Sequence, residues 1–175
     1  TKNRVPIFYV NLVGGQDELV FDGNSMAVDR MGDLIAVAKQ FEEELVITDI
    51  NLDEGTAETV VAPAHDRVGE MYGAIVLGIR DYFLKSGFRK AVVGMSGGID
   101  SSVTACIAVE ALGNENVIGV SMPSRFSSGH SKSDAEQLAE NLGICFVTVG
   151  IQDVVDVFHK SLKEPLDHIR RCFHV

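Results

Sequence analysis

Apolar positions divide the chain into two regimes. Up to residue 50 they come in short runs broken by turn signals, the pattern of strands rather than helices. Residues 5–13, Val-Pro-Ile-Phe-Tyr-Val-Asn-Leu-Val, read as a buried strand ending at Gly14 and Gly15, with Pro6 tolerable only near its start. Asp22, Gly23 and Asn24 signal a turn. Residues 26–29 and 34–38 read as strands around Arg30, Met31, Gly32 and Asp33, a hairpin turn with its glycine in place. After a polar stretch, residues 45–50 read as a last strand. Residues 51–65 carry Asp53, Glu54, Gly55, Glu58 and Pro63 with little periodicity and read as a linker or surface crossing.

From Asp66 the period lengthens. Val68, Met71, Tyr72, Ile75, Ile79, Tyr82 and Phe83 share one helical face over residues 66–86, which predicts a core-facing helix ended by Gly87. Asp66 near its start and Lys85 near its end suit the helix dipole. Strands and helices then alternate. Residues 90–94 predict a strand, 103–112 a helix stopped at Gly113, and 117–121 a second buried strand. Residues 131–142 predict a helix capped by Ser131 or Ser133, burying Ala135, Leu138, Ala139 and Leu142 and ended by Gly143. Residues 145–149 predict a third strand. Residues 151–162 predict a helix with Val154, Val155, Phe158 and Leu162 inward. Such alternation implies parallel βαβ units, whose ligands lie beyond the carboxyl ends of the strands. The loops at residues 94–102 and 122–130 both fall at that edge.

The first of those loops carries the chemistry. It reads Gly94, Met95, Ser96, Gly97, Gly98, Ile99, Asp100, Ser101, Ser102, between a strand and a helix. Glycines admit positive φ and a close backbone approach to an anion. The free N–H groups and dipole of the helix start attract it, and the hydroxyls of Ser96, Ser101 and Ser102 offer further donors. Asp100 would repel phosphate without a cation between them, so the loop calls for a nucleotide phosphate together with Mg²⁺. No Lys-Ser/Thr pair follows the glycines, so this is not a Walker A loop, and it does not match the dinucleotide G-x-G-x-x-G fingerprint.

Composition narrows the partners. The 175 residues carry a formal net charge of −10, which argues against nucleic-acid binding because no basic stripe is available to displace counterions. A phosphate site on such a chain must be built locally, from amides, dipole and metal. No apolar run approaches the roughly 20 residues of a membrane span. Residues 1–4 hold no apolar signal core, and three cysteines without metal-type spacing suit a reducing compartment, so the expectation is a cytoplasmic protein with no membrane partner. Cys106 and Cys145 read as small core residues, and His130 as solvated.

The loop resembles the S-G-G-x-D-S loop of the ATP pyrophosphatase superfamily. Ser96-Gly97-Gly98-Ile99-Asp100-Ser101, then Met122-Pro123-Ser124-Arg125, then Ser133-Asp134-Ala135 and Leu138-Ala139 are similar to bacterial NAD⁺ synthetases. Residues 9–23 are similar to the late part of a nitrilase-type glutaminase. Joined in this order, the two blocks resemble the glutamine-dependent NAD⁺ synthetases, and Tyr72, Leu77-Gly78, Arg80-Asp81-Tyr82 and Gly87-Phe88 match the start of their synthetase domain.

The resemblance implies an α/β fold: a parallel-sheet, adenine-nucleotide α-hydrolase-like (ATP pyrophosphatase) domain over residues 63–175. A partial nitrilase-like α/β sandwich with its linker precedes it over residues 1–62. It implies ATP-dependent adenylation of deamido-NAD⁺ and its amidation to NAD⁺ by ammonia drawn from glutamine, in a homo-oligomer. Gly94 through Ser102 and Met122 would bind ATP, Ser96, Gly98 and Ser101 touching its pyrophosphate and Met122 its adenine. Asp100 would bind Mg²⁺, and Arg125 would meet phosphate or dinucleotide, or form a surface ion pair instead. The glutaminase triad of Glu, Lys and Cys would lie upstream, and a second acidic metal ligand downstream, so the chain is expected to be an internal piece of a longer enzyme. Two alternatives remain at this point: a catalytically incompetent ATP-binding fragment, and another ATP pyrophosphatase such as GMP synthetase.

Overall fold

The computed structural model describes residues 3–51, 53–64, 66–125 and 129–173. They form two compact units, residues 1–89 and 90–175.

The first unit is built from two small antiparallel sheets and one helix. Strands β1 (Ile7–Tyr9), β4 (Met26–Val28) and β5 (Leu34–Val37) form one sheet in the order β1-β4-β5; β2 (Val13–Gln16) and β3 (Leu19–Asp22) form the other. β1 starts directly after Pro6, as the missing N–H requires. The single strand expected over residues 5–13 is instead two, separated by Val10, which is 85% exposed. The Asn11 side chain donates to Asp22 Oδ1 (3.0 Å) and accepts from the Leu12 amide (2.9 Å), taking the chain out of one sheet and into the next. β2 then runs through Gly14 and Gly15, both buried, rather than stopping at them.

The β4–β5 hairpin forms where the sequence places it. Asp29, buried in the turn, accepts N–H bonds from Met31, Gly32 and Asp33 at 2.8–3.0 Å on one carboxylate oxygen. Burial alone would raise its pKa. Those three amides and the neighbouring Arg30 outweigh it and hold the carboxyl below its ordinary value. The strand expected over residues 45–50 does not form: Leu45 and Ile47 are 87% and 84% exposed, and the segment joins no ladder among the described residues.

Helix α1 (Arg67–Ser86) has the predicted limits. Asp66 stands at its N-cap, and Gly87 ends it at φ 75°, its amide reaching Leu84 O. The buried face is not the expected one. Val68, Met71 and Tyr82 are mostly exposed, while Val76 and Leu77 are buried. The helix turns its small residues to the strands. A Cβ on Gly73 would stand 2.6 Å from the Phe41 ring, and one on Gly15 only 3.2 Å from Gly78 Cα. Close approach of backbones decided the face; the large apolar stripe did not.

The second unit is a parallel sheet, β6 (Ala91–Gly94), β7 (Val117–Ser121) and β8 (Cys145–Thr148) in the order β6-β7-β8, with helices α2 (Ile99–Leu112), α3 (Gly129–Leu142) and α4 (Gln152–Phe173). Its core joins Val93, Met95, Val117 and Ile144 to Ala105, Ala108, Ala135 and Ala139, so alanines bring α2 and α3 close to the sheet. Leu138 and Leu142 pack at its margin, as the helical period predicts. α3 starts earlier than expected. Ser133 is therefore inside the helix, its hydroxyl donating to His130 O (2.9 Å), and His130 belongs to the first turn rather than to a loop. Cys145 is exposed and Cys106 half-buried, so neither is a core residue. Val154 and Phe158 of α4 are also largely exposed. Their period identifies an apolar side but not a surface in this chain that covers it. The helix continues through Pro165 to Phe173. Among the described residues no helix is long and apolar enough to cross a membrane.

Candidate functional site

β6 and β7 lie side by side and parallel, so their carboxyl ends, Gly94 and Ser121, open on the same edge. The loop after β6 begins with Met95, which is buried in the core and donates its amide to Val120 O (2.8 Å). The anchor holds the loop base to the central strand. Gly97 then takes φ 80°, a conformation open chiefly to glycine. Gly98 is the N-cap of α2 and carries no side chain to close the helix start.

Serine hydroxyls fold this loop onto itself. Ser101 Oγ donates to Gly98 O (3.0 Å) and accepts the Ser96 amide (3.2 Å); it lies 3.2 Å from Ser96 Oγ. A hydroxyl has one proton, so Ser96 is the donor of that last contact. Ser102 Oγ also donates to Gly98 O (2.9 Å). The expectation that these hydroxyls point outward as donors is therefore modified: in this arrangement Ser101 and Ser102 spend their protons on the loop itself. What the loop presents outward is backbone. The first-turn amides of α2, Ile99, Asp100 and Ser101, have no intrahelical acceptor, and the dipole adds partial positive charge there.

Asp100 sits in that first turn, with its side chain exposed and no hydrogen bond or ion pair among the described residues. No group of three or more His, Cys, Asp or Glu is preassembled for a metal among those residues. A single hard carboxylate beside an anion site still fits Mg²⁺, which keeps several waters and is commonly held by one or two carboxylates plus substrate phosphates.

The second loop leaves β7 at Met122. The Met122 side chain lies over Gly94, its Cε 3.6 Å from where a Cβ would stand, and it is half-exposed. The two loops meet at this contact. Arg125 is tied to the start of α4: its amide donates to Gln152 Oε1 (2.7 Å) and its guanidinium lies 3.3 Å from Asp156 Oδ1, itself held by Gln152 Nε2 (2.7 Å). Both ion-pair partners are more than half exposed, so the pair positions Arg125 more than it stabilises the fold. Gln152 and Asp156 were not singled out by the sequence reading. Their signal was only an i, i+4 polar pair on the back of an apolar stripe. Residues 126–128 of the expected second loop lie outside the described residues.

The sequence model of the carbon-nitrogen hydrolase family matches residues 1–57, and that of the NAD synthase family matches residues 71–172. A glutamine-dependent NAD(+) synthetase of Thermotoga maritima is 44% identical, over 91% of this chain and 34% of its own length. One from Synechocystis is 46% identical, over 91% of this chain and 29% of its own. A solved structure of a glutamine-dependent NAD+ synthetase from Acinetobacter baumannii, in complex with adenosine diphosphate, superposes with a TM-score of 0.86 at 39% identity, covering 92% of this chain and 31% of that one. The chain thus spans about a third of the length of these relatives. With more than half of its residues matched by one family model, the chain belongs to the NAD synthase family.

Proposed function

We propose that this chain carries the ATP pyrophosphate site of a glutamine-dependent NAD⁺ synthetase. The observation that carries the reading is the β6–α2 loop, whose outward amides stand at the open sheet edge beside an uncommitted Asp100. Gly97 and the first-turn amides of α2 would take the β- and γ-phosphates of ATP, and the Gly98 amide, which donates to Ser96 Oγ (3.3 Å), would join them on turning outward, with the Ser96–Ser101 contact holding the loop in shape. Asp100 would hold Mg²⁺, which when bound would neutralise charge on the departing pyrophosphate. Met122 would wall the adenine, and Arg125, steadied by Gln152 and Asp156, would offer positive charge to phosphate or to the dinucleotide.

The chemistry this serves is amide formation on a carboxylate. An oxygen of the nicotinate carboxylate of deamido-NAD⁺ bonds to the α-phosphorus of ATP, and the bond to the bridging oxygen breaks to release pyrophosphate. Ammonia from glutamine then attacks the acyl carbon, loses a proton, and AMP leaves with the C–O electron pair. The loop's part is to hold the leaving group in line and offset its charge, by positioning and fixed dipoles. Residues 63–175 would be the first half of that synthetase domain and residues 1–62 the end of its glutaminase. The whole enzyme would act as a cytoplasmic homo-oligomer. The intact protein carrying this sequence should convert deamido-NAD⁺, MgATP and ammonia to NAD⁺, AMP and pyrophosphate. Adenylation of a different acceptor, with deamido-NAD⁺ untouched, would overturn the proposal.

A further inference from the structure

Between the carbon-nitrogen hydrolase match, which ends at residue 57, and the NAD synthase match, which begins at residue 71, the family boundary runs through the first compact unit. α1, which carries the first residues of the NAD synthase match, packs on β2 and β3 of the other. One contact there is specific. Gly15 of β2 donates its amide to Asp81 Oδ2 (2.8 Å), and its carbonyl accepts from Lys85 Nζ. Asp81 and Lys85 are themselves 3.1 Å apart, one helical turn from each other. In the β2–β3 ladder Gly15 faces Val20, next to the Gln16–Leu19 pair that flanks the two-residue turn. The polar groups of Gly15 therefore point away from β3, to the side a further strand would occupy. The helix supplies an acceptor and a donor in its place. Gly78, on the same helical face at i−3 from Asp81, makes room for Gly15.

We infer that Asp81 and Lys85 are positioning residues that fix the synthetase segment's first helix to the glutaminase segment, and through it couple ammonia made from glutamine to amidation. The coupling rests on the function proposed above; the clamp itself does not. Burial raises the Asp81 pKa, but the Gly15 amide, Lys85 and Arg80 together bring it below the ordinary value, as a carboxylate engaged in both contacts requires.

The test uses the intact protein with Asp81→Ala, Lys85→Met and the conservative Lys85→Arg. Glutamine-driven NAD⁺ formation should fall about fivefold or more in the first two, with ammonia-driven formation within about twofold of wild type, and Lys85→Arg should restore most of the ratio. Amide exchange at Gly15 should rise about tenfold in Asp81→Ala, with β6–β8 unchanged, by the loss of one charge-assisted hydrogen bond. Lys85 is more than half exposed, so Lys85→Met still reports if Asp81→Ala fails to fold. Equal loss with both nitrogen donors, or an unchanged ratio despite lost Gly15 protection, would refute the coupling. Unchanged Gly15 exchange would refute the clamp. A wild-type protein that makes no NAD⁺ from ammonia refutes the proposed function and with it the coupling; the exchange result then decides the clamp alone.

Discussion

Gly119→Ala, a one-carbon change at the centre of β7, tests how the loop between β6 and α2 is seated. A Cβ there would stand 2.5 Å from Met95 Sδ, 3.0 Å from the Phe146 ring and 3.3 Å from Ile144 Cδ1. Comfortable contact needs about 3.5–4 Å, so the sulfur must retreat by about 1 Å. Met95 is only 2% exposed and belongs to the core cluster, so it retreats into filled space. Overpacking of this kind costs about 1–3 kcal/mol. Replacing a strand glycine returns about 0.5–1 kcal/mol of backbone entropy. The net expectation is a loss of about 1–2 kcal/mol in the second unit. Exchange of the amides at residues 117–121, measured in the intact protein, should accelerate about fivefold to thirtyfold. Because Met95 is also the loop base, nucleotide affinity should weaken alongside. The double variant Met95→Ala/Gly119→Ala should recover at least about 0.5 kcal/mol relative to additivity, since the clash is then gone. Slower or unchanged exchange in Gly119→Ala, or strict additivity in the pair, would show that Met95 does not wedge over Gly119.

Three further outcomes follow from the same geometry. Asp100→Asn should lower MgATP-dependent NAD⁺ formation by about a hundredfold or more while leaving α2 folded, read by initial rates and circular dichroism; retained activity would refute the metal-binding role proposed for Asp100. Ser101→Ala takes away a donor to Gly98 O and the acceptor of the Ser96 amide, so KM for ATP should rise about tenfold with a smaller change in kcat, as measured by steady-state titration of ATP. Asp81 has a folded-state pKa below its unfolded value, so its stabilisation is complete above about pH 4 and is lost as pH falls through the lower folded value. The stability gap between wild type and Asp81→Asn, followed by thermal melts, should accordingly be flat around neutral pH, from about pH 6 to 8, and close on acidification below about pH 4.

What the sequence discloses depends on whether the needed partner is local. Gly87, Gly113 and Gly143 all take positive φ and end α1, α2 and α3 where expected, because helix termination is settled within a few residues. The short apolar run over residues 117–121 gives β7 its limits, and neighbouring parallel strands put both loops on one edge. Partner choice is not local. Leu45 and Ile47 have the composition of a strand, but nothing in their own stretch names a strand to pair with. The stripe through Val68, Met71 and Tyr82 tells that α1 has an apolar side; the small-residue face wins the strands because Gly73, Gly78 and Gly15 permit contact that large side chains forbid. The β2–β3 hairpin was missed because its turn, Asp17 and Glu18, carries no glycine, although Asp17 takes φ 52°. In the loop, the serines were legible as hydroxyl groups. Where each proton goes was not, since that depends on where the Gly98 carbonyl points.

The side-chain substitute for a strand beside β2 has a consequence for solubility. A two-stranded ribbon with a free edge invites another chain to add itself by backbone pairing, the first step of ordered aggregation. Asp81 and Lys85 occupy the Gly15 amide and carbonyl, so an incoming strand would have to evict both ends of an ion pair to form its first rung. Variants that loosen this helix should therefore precipitate or form oligomers by edge pairing well before the fold as a whole gives way.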